Sequence, residues 1–293
     1  MKTNQTLAYK YALLSVFFWS TVATAFKISL RFLTPLELLF YSSLSSLFVL
    51  GGILIYQKRF FEVIKHIKKQ PFLTLVLGLI NPFVYYLVLF KAYDILPAQV
   101  AQAINYTWAL MFAYLGAILL KHKITKIDII AGFICYFGVL IIATHGHPFS
   151  LHFSNAFGVA LALFSTILWS LYWIINTKTK ANPVVALFSN FLVGVIFITL
   201  YISLTSHFRV PTPSSMLGAI YVGFFEMGFS FVFWLKAVNL SESISKISNL
   251  IFLSPLLSLV FIHYLVGEEI LFSTIVALIF ILGGLIMQKR FNR

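Results

Sequence analysis

The chain has very few charged residues and almost no cysteine. Only 10% of its 293 residues are charged, and only eight are Asp or Glu, whereas roughly 25% of the residues in an average soluble protein are charged. The single cysteine, Cys135, lies in an apolar run, which excludes a disulfide framework and a cysteine metal site. So little polar surface does not cover a soluble globule, and we therefore expect a polytopic membrane protein.

The motifs of several enzyme classes are also missing. The sequence has no HExxH metalloprotease pair, no G-x-S-x-G nucleophile elbow and no P-loop. His145, His147 and His152 are close in sequence, but no carboxylate or cysteine lies beside them, so we expect no metal. We predict no enzymatic activity, no cofactor and no ATP-driven pumping by this chain alone. A channel or an intramembrane enzyme is the alternative of another class.

Apolar residues, in contrast, make up 60% of the chain. A bilayer core requires about 20 of them per helix, and by this measure the chain contains ten spans joined by short loops. Their predicted bounds are 8–28, 35–56, 71–91, 97–120, 127–144, 155–176, 183–204, 214–236, 243–265 and 270–288. The first resembles a signal peptide, but we interpret it as a transmembrane helix. The predicted fold is thus an all-α polytopic membrane protein of ten transmembrane helices.

The lysines and arginines are distributed unevenly between the two sides of these spans. With the N-terminus in the cytoplasm, only four of the 21 face outward, namely Lys27, Arg31, Lys91 and Arg209. Cytoplasmic loops are enriched in basic residues, so this pattern predicts that both termini are cytoplasmic. We attribute the net charge of +13 to topology and expect no nucleic-acid partner. We expect the protein to lie in the plasma membrane, namely the inner membrane of a bacterium.

Short stretches of the first half recur in the second half. At a constant offset of 145, "FKAY" (90–93) matches "LKAV" (235–238), and "CYFGVLI" (135–141) matches "FILGGLI" (280–286). Each half contains five spans and, because five is odd, the second half enters the membrane from the opposite face. The sequence therefore predicts two inverted-topology repeats, 1–148 and 149–293, which form one transmembrane unit with a substrate site near the midplane.

This organisation resembles the EamA-like branch of the drug/metabolite transporter superfamily. The recurring pattern of that branch, a proline, an apolar stretch and Gly-Glu, is present in "SPLLSLVFIHYLVGEEI" (254–270), and the later glycine is Gly283. The first half departs from it, with Leu110 and Lys123 where the second half has Pro255 and Glu268. "INYTW" (104–108) resembles a stretch of bacterial aromatic amino-acid exporters. The resemblance implies efflux of amino acids or related metabolites.

Glu226 is the most unusual residue of the predicted spans. At about 1.5 Å per residue it lies about 18 Å from the start of its helix, near the centre of a bilayer core about 30 Å thick. No lysine or arginine lies at a comparable depth. Either its partner is mobile, being a substrate ammonium group, a proton or each in turn, or it is a protonated acid that holds helices together. We favour the first interpretation, in which Glu226 binds substrate and couples protons.

Other polar and aromatic residues at similar depth complete the predicted site. Asn81 is related to Glu226 by the offset of 145, and Gln102, Asn105 and Tyr106 share one face of the fourth span. Interhelical hydrogen bonds and core packing explain individual members almost as well. The predicted substrate-binding residues are Glu226, Asn81, Trp19, Tyr85, Gln102, Asn105, Tyr106, Trp108, Trp169 and Asn249.

These residue types suit a small zwitterion or cation with apolar bulk. A phosphorylated substrate fits badly, because no central lysine or arginine is available to bind a phosphate. We expect a secondary transporter that works by alternating access and exports an amino acid, with aromatic amino acids favoured. A choline-like quaternary amine is the alternative substrate. The expected partners are a small-molecule substrate and the lipid bilayer, and the expected state is a monomer or a homodimer.

Overall fold

The computed structural model describes residues 4–120, 124–149, 155–176, 178–179, 181–205, 211–241 and 249–291. Within these ranges every regular element is a helix. The helices are α1 (Gln5–Ser29), α2 (Pro35–Tyr56), α3 (Phe61–Lys69), α4 (Pro71–Ile95), α5 (Ala98–Asn105), α6 (Trp108–Leu120), α7 (Lys126–Ala143), α8 (Ala156–Asn176), α9 (Pro183–Thr205), α10 (Pro213–Tyr221, Val222–Phe229 and Ser230–Leu240 in succession), α11 (Leu250–Val266) and α12 (Phe272–Phe291).

The predicted all-α membrane architecture is confirmed, with a difference in its helices. Eight helices of the described part of the chain, α1, α2, α4, α7, α8, α9, α10 and α12, are long and apolar enough to cross a membrane. The predicted span 97–120 is divided between α5 and α6, and the described part of the span 243–265 is the shorter α11. The short helix α3 lies between two predicted spans. The chain is therefore a multi-pass membrane protein.

The helix starts follow from local sequence. Pro35, Pro71, Pro183 and Pro213 are first residues of helices, where the missing N–H group has no intrahelical partner to lose. At the start of α2 the Thr34 N–H donates to Glu37 Oε2 at 2.8 Å, while Thr34 Oγ1 accepts from the Glu37 N–H at 3.2 Å. This reciprocal capping box satisfies two otherwise unpaired N–H groups.

Two of the long helices have a wider turn in their middle. In α4 this turn covers Leu79–Val84, and Asn81 has the non-helical dihedrals φ −139° and ψ 117°. Pro82 lacks an N–H group and so interrupts the hydrogen-bond ladder at this turn. In α10 the wider turn covers Val222–Phe229 and includes Glu226. Wide helical turns of this kind are frequent at functional sites.

The helices pack so that α1, α4, α8 and α10 surround the centre of the bundle. The C-terminal part of α10 packs against α1, and the C-terminal part of α4 packs against α8. The fragment α6 also packs on α8, while α2 lies between α9 and the wide turn of α10. Helices α7 and α12 pack against each other as a pair. Neither contributes a residue to the wall of the central cavity.

Gly223 allows α10 to approach α2 closely, and its replacement tests this packing. A Cβ atom at this position would overlap the carbonyl oxygen of Ser42 and the side chain of Ser45. Gly223→Ala is expected to destabilise the protein by about 1–3 kcal/mol, the usual cost of overpacking, and to lower the thermal midpoint of the purified protein. Gly52→Ala is the matched control, because a Cβ there meets nothing within 4 Å. Equal midpoints for the two variants would contradict the close approach.

Candidate functional site

A cavity of about 140 Å³ lies between helices of both halves of the chain. Its wall is built by α1, α4, α5, α8 and α10, together with single residues of α6 and α11. The residues that line it are Trp19, Val22, Ala23, Phe26, Tyr85, Leu89, Tyr93, Gln102, Asn105, Tyr106, Trp108, Trp169, Trp173, Glu226, Phe231, Trp234 and Ile251. Most of these side chains are aromatic, and their polar groups are one carboxylate, two amides, and tyrosine hydroxyl and tryptophan N–H groups.

Glu226 is the only charged residue among the described residues of this wall. The Tyr86 hydroxyl donates a hydrogen bond to its Oε1 at 3.1 Å, and Tyr86 itself is fully buried. The second carboxylate oxygen, Oε2, is buried and has no hydrogen-bond partner. The carboxylate therefore has one fixed donor and one oxygen with free acceptor capacity, next to a cavity.

Aromatic rings from α1, α4, α8 and α10 pack against one another around the carboxylate. The rings of Tyr85 and Trp169 are stacked, with centroids 4.6 Å apart, and those of Trp19 and Trp234 are 5.4 Å apart. Phe231 joins the two pairs, since its centroid lies 6.1 Å from that of Trp19 and 5.9 Å from that of Trp169. Together these rings form a continuous aromatic wall.

The break between α5 and α6 contributes the amide groups. Thr107 Oγ1 and the Thr107 N–H both donate to the carbonyl of Ile104, at 2.8 and 3.0 Å, and the helix ends at this turn. Asn105 Nδ2 donates to Ser165 Oγ of α8 at 2.9 Å. Irregular backbone at membrane depth is tolerated where it is buried in protein or lines a cavity. The break between α5 and α6 is tolerated because it lies beside the cavity.

The structure brings eight of the ten predicted site residues together on the cavity wall. These eight are Glu226, Trp19, Tyr85, Gln102, Asn105, Tyr106, Trp108 and Trp169. Asn81 is not among the lining residues, because its non-helical backbone turns the fully buried side chain toward Tyr172. Its amide atoms make no hydrogen bond of good geometry there. The side chain of Asn249 lies outside the described residues, as does His152.

The prediction did not include several residues that belong to the same site. Tyr86 is the donor to Glu226, and Tyr93, Trp173, Phe231 and Trp234 line the cavity. Helical spacing contains the signal for one of them, since Trp173 is four residues after Trp169 and so shares its face.

One end of the bundle is held together by polar contacts between the two halves. Glu268 caps the N-terminus of α5: its Oε1 accepts from the Ala98 N–H at 2.7 Å, and its Oε2 from the Gln99 N–H at 3.3 Å. The Gln99 side chain also donates to the carbonyl of Glu269 at 2.8 Å and accepts from Thr274 Oγ1 at 2.6 Å. A carboxylate at a helix N-terminus is favourable because of the helix dipole.

Two basic residues at the end of α1 extend this closure. Lys27 Nζ donates to the carbonyl of Tyr93, in the last turn of α4, at 2.8 Å and to the carbonyl of Leu96, just after the helix, at 2.7 Å. Arg31 donates to the carbonyl of Val266, at the end of α11, at 2.6 Å. Neither residue lines the cavity. Lys27 and Arg31 thus stabilise the same end of the bundle that Glu268 closes.

The described residues contain no group of three or more His, Cys, Asp or Glu side chains that could hold a metal ion. The chemistry of the wall is that of binding: one carboxylate, several hydrogen-bond groups and many π faces. Concave, mostly apolar sites with a few placed polar groups are typical of small-molecule binding.

The chain is similar to known membrane transporters along almost its whole length. A model of the EamA-like transporter family matches residues 6–144 and residues 156–288. An uncharacterized transporter of Archaeoglobus fulgidus is 26% identical over 285 residues, which cover 94% of this chain and 97% of that protein. An uncharacterized transporter of Clostridium kluyveri is 26% identical over 205 residues, which cover 67% of this chain and 64% of that protein.

The fold is also found in a protein of known crystal structure. The two chains superpose with a TM-score of 0.68 over 97% of this chain and 96% of the other, and they share 20% sequence identity. At this identity the likeness concerns the fold alone.

Proposed function

The chain belongs to the EamA-like transporter family, and on that premise we propose that it is a secondary transporter that carries a small molecule with an ammonium group by alternating access. The observation that carries the proposal is Glu226, whose carboxylate lies at a cavity wall with one oxygen unpartnered. An ionised side chain at membrane depth costs at least about 2.5 kcal/mol on insertion scales. A cationic group of the substrate would offset part of that cost.

The architecture that we propose has ten spans with both termini in the cytoplasm, and its second half, 149–293, is inverted relative to the first, 1–148. The offset of 145 supports it, because it relates Gly78 to Gly223, and both glycines lie against a neighbouring helix. It also relates the wide turn of α4 to that of α10. The site would lie between the two halves, as in other transporters built from inverted repeats.

Tight turns at corresponding positions support the same architecture. The turn between α5 and α6, at Tyr106 and Thr107, is related by the offset to the tight turn Asn249–Phe252 at the start of the described part of the ninth span. The positive-inside pattern of the basic residues supports two cytoplasmic termini, and we propose that the protein lies in the inner membrane of a bacterium.

We propose that Glu226 also couples transport to protons. A single carboxylate holds one monovalent cation at a time, so a substrate ammonium group and a proton would exchange for one another. Across a membrane with an inward proton gradient, this exchange drives export, which agrees with the resemblance of "INYTW" (104–108) to an exporter stretch. Alkalinisation of the lumen on addition of external substrate to substrate-free proteoliposomes would support the coupling, because each substrate cation that enters would be exchanged for a proton that leaves.

Two substrate classes remain candidates for this site. The sequence favours an amino acid, in particular an aromatic one, because amides and aromatic rings accompany the carboxylate. An amine without a carboxyl group is the second candidate, and a specific observation favours it: Glu226 is the only charged residue among the described residues that line the cavity.

Counterflow in proteoliposomes tests the transporter proposal against a channel. We expect the uptake of labelled phenylalanine or labelled choline to saturate with concentration and to increase when the same unlabelled compound is present inside. Liposomes without protein are the control. Uptake that rises linearly with concentration and does not respond to the internal compound would indicate a channel and contradict the proposal.

A further inference from the structure

We infer that the substrate is a compact organic ammonium ion that has no carboxylate of its own, held between Glu226 and the aromatic wall of the cavity. This inference rests on the proposed function, because it names the substrate class of the same site. It differs from the amino-acid preference drawn from the sequence and takes its support from the charges, the backbone donors and the rings around the cavity.

The first step is the charge of the wall. The lining residues within the described ranges include no lysine, arginine or histidine, and Glu226 is their single carboxylate. Lys27, which follows the lining residue Phe26, donates to the carbonyls of Tyr93 and Leu96 and does not line the cavity. A zwitterion would bury its own carboxylate without a counter-charge, which is strongly unfavourable in a site of low polarity. A cation has no such group.

The second step concerns the backbone, because a broken helix often binds a carboxylate with its free N–H groups. At the break between α5 and α6, four of those groups are already used. The Tyr106 N–H donates to the Gln102 carbonyl and the Thr107 N–H to the Ile104 carbonyl, both at 3.0 Å. The N–H groups of the following turn, at Leu110 and Met111, donate to the Thr107 carbonyl. These four N–H groups are therefore not available to bind the carboxylate of an amino acid.

The third step is the aromatic wall. Trp19, Trp169, Trp173 and Trp234 all line the cavity, and tryptophan has the most favourable ring face for a cation. The ring of Phe231 lies 5.9 to 6.4 Å, between centroids, from those of Trp19, Trp169 and Trp173. Aromatic cages of this composition bind ammonium ions through the negative potential of the ring faces. The rings would surround the alkyl part of the ion, and the carboxylate would neutralise its charge.

The fourth step is the state of the carboxylate. Tyr86 donates to Oε1, which fixes the orientation of the group, while Oε2 has no partner. A primary ammonium group would donate a hydrogen bond to Oε2, and a quaternary one would approach it through its methyl groups. Both kinds of ion are therefore members of the class that we propose.

Matched pairs of small molecules test the inference on the purified full-length protein. Phenethylamine and phenylalanine differ by one carboxylate, and choline and 3,3-dimethylbutan-1-ol differ by one positive charge. We expect phenethylamine and choline to raise the thermal midpoint and to quench tryptophan fluorescence, each with an apparent affinity at least tenfold higher than that of its pair member. Phenylalanine binding as tightly as phenethylamine, the alcohol binding as tightly as choline, or no binding by either amine would overturn the inference.

Counterflow of the same four compounds separates this inference from the proposed function. Counterflow of phenylalanine without counterflow of either amine would overturn the inference and leave the transporter proposal intact. Binding of the amines together with linear, unstimulated uptake of all four compounds would uphold the cation site and contradict the transporter. Saturable counterflow of choline and phenethylamine alone supports both.

Discussion

Glu226→Gln is expected to reduce substrate counterflow in proteoliposomes at least thirtyfold while the protein remains folded. Glutamine has nearly the same size and still accepts a hydrogen bond from Tyr86, but it has no charge. Losing one partner of a buried charge pair costs about 2–5 kcal/mol, and at about 1.4 kcal/mol per tenfold the lower limit corresponds to roughly a thirtyfold loss. Counterflow and the thermal midpoint should be measured on the same preparation.

Glu62→Gln is the matched control for this substitution. Glu62 lies on the short helix α3, where its half-exposed carboxylate is 3.4 Å from Arg59. Exposed ion pairs contribute about 0–1 kcal/mol, so this variant should retain full counterflow. If Glu226→Gln also retains counterflow but lowers the thermal midpoint, Glu226 holds helices together and the proposed binding role is wrong.

The Tyr86 hydroxyl allows a graded version of the same test. Tyr86→Phe removes the donor to Oε1 and keeps the ring that packs 5.3 Å from Phe90. Because the charge of Glu226 remains, we expect a smaller loss of counterflow than for Glu226→Gln. Equal losses in the two variants would mean that orientation of the carboxylate matters as much as its charge.

Much of the fold follows from apolar run length alone. Helices such as α2 and α9 agree with their predicted bounds because long apolar segments that begin at a proline leave little choice of structure. The break of the span 97–120 was not predictable in this way, since Tyr106 and Thr107 are neither proline nor glycine. Helix α3 was not predicted, because its many charged residues are typical of a loop. In the structure these residues lie on one face of a short amphipathic helix, and Val63 is buried on the other side.

The sequence locates side chains of the cavity well on regular helices. It does not locate a side chain such as that of Asn81, where the backbone is not helical. Trp169 was found because spacing along the regular helix α8 determines where its side chain lies, and Glu226 was found from its depth in the span, although it lies in the wide turn of α10. Asn81 was expected beside Glu226, but the strand-like dihedrals at Asn81 direct its side chain elsewhere. The contacts of Tyr86 depend on the relative rotation of α4 and α10, which packing determines and a single sequence does not encode locally.

Closure of one end of the bundle by Glu268 leads to the second large expected effect. In alternating access each end of the cavity must open in turn, and opening the Glu268 end requires its contacts with the Ala98 and Gln99 N–H groups to break. Hydrogen bonds to a charged group contribute about 1.5–3 kcal/mol. Glu268→Gln removes the charge, so we expect the state that is open at this end to become about tenfold more populated, the equivalent of 1.4 kcal/mol.

A cysteine in the cavity makes this shift measurable. Cys135 is fully buried and is the only cysteine of the chain, so Cys135→Ala gives a background in which Gln102→Cys is the single reactive thiol. Glu268→Gln should raise the rate at which a membrane-impermeant thiol reagent, added on the Glu268 side, labels that cysteine. Glu269→Gln is the control, because it makes the same chemical change one residue away, at a side chain that is exposed. An unchanged labelling rate, or equal rates for the two variants, would show that the Glu268 cap does not hold this end closed.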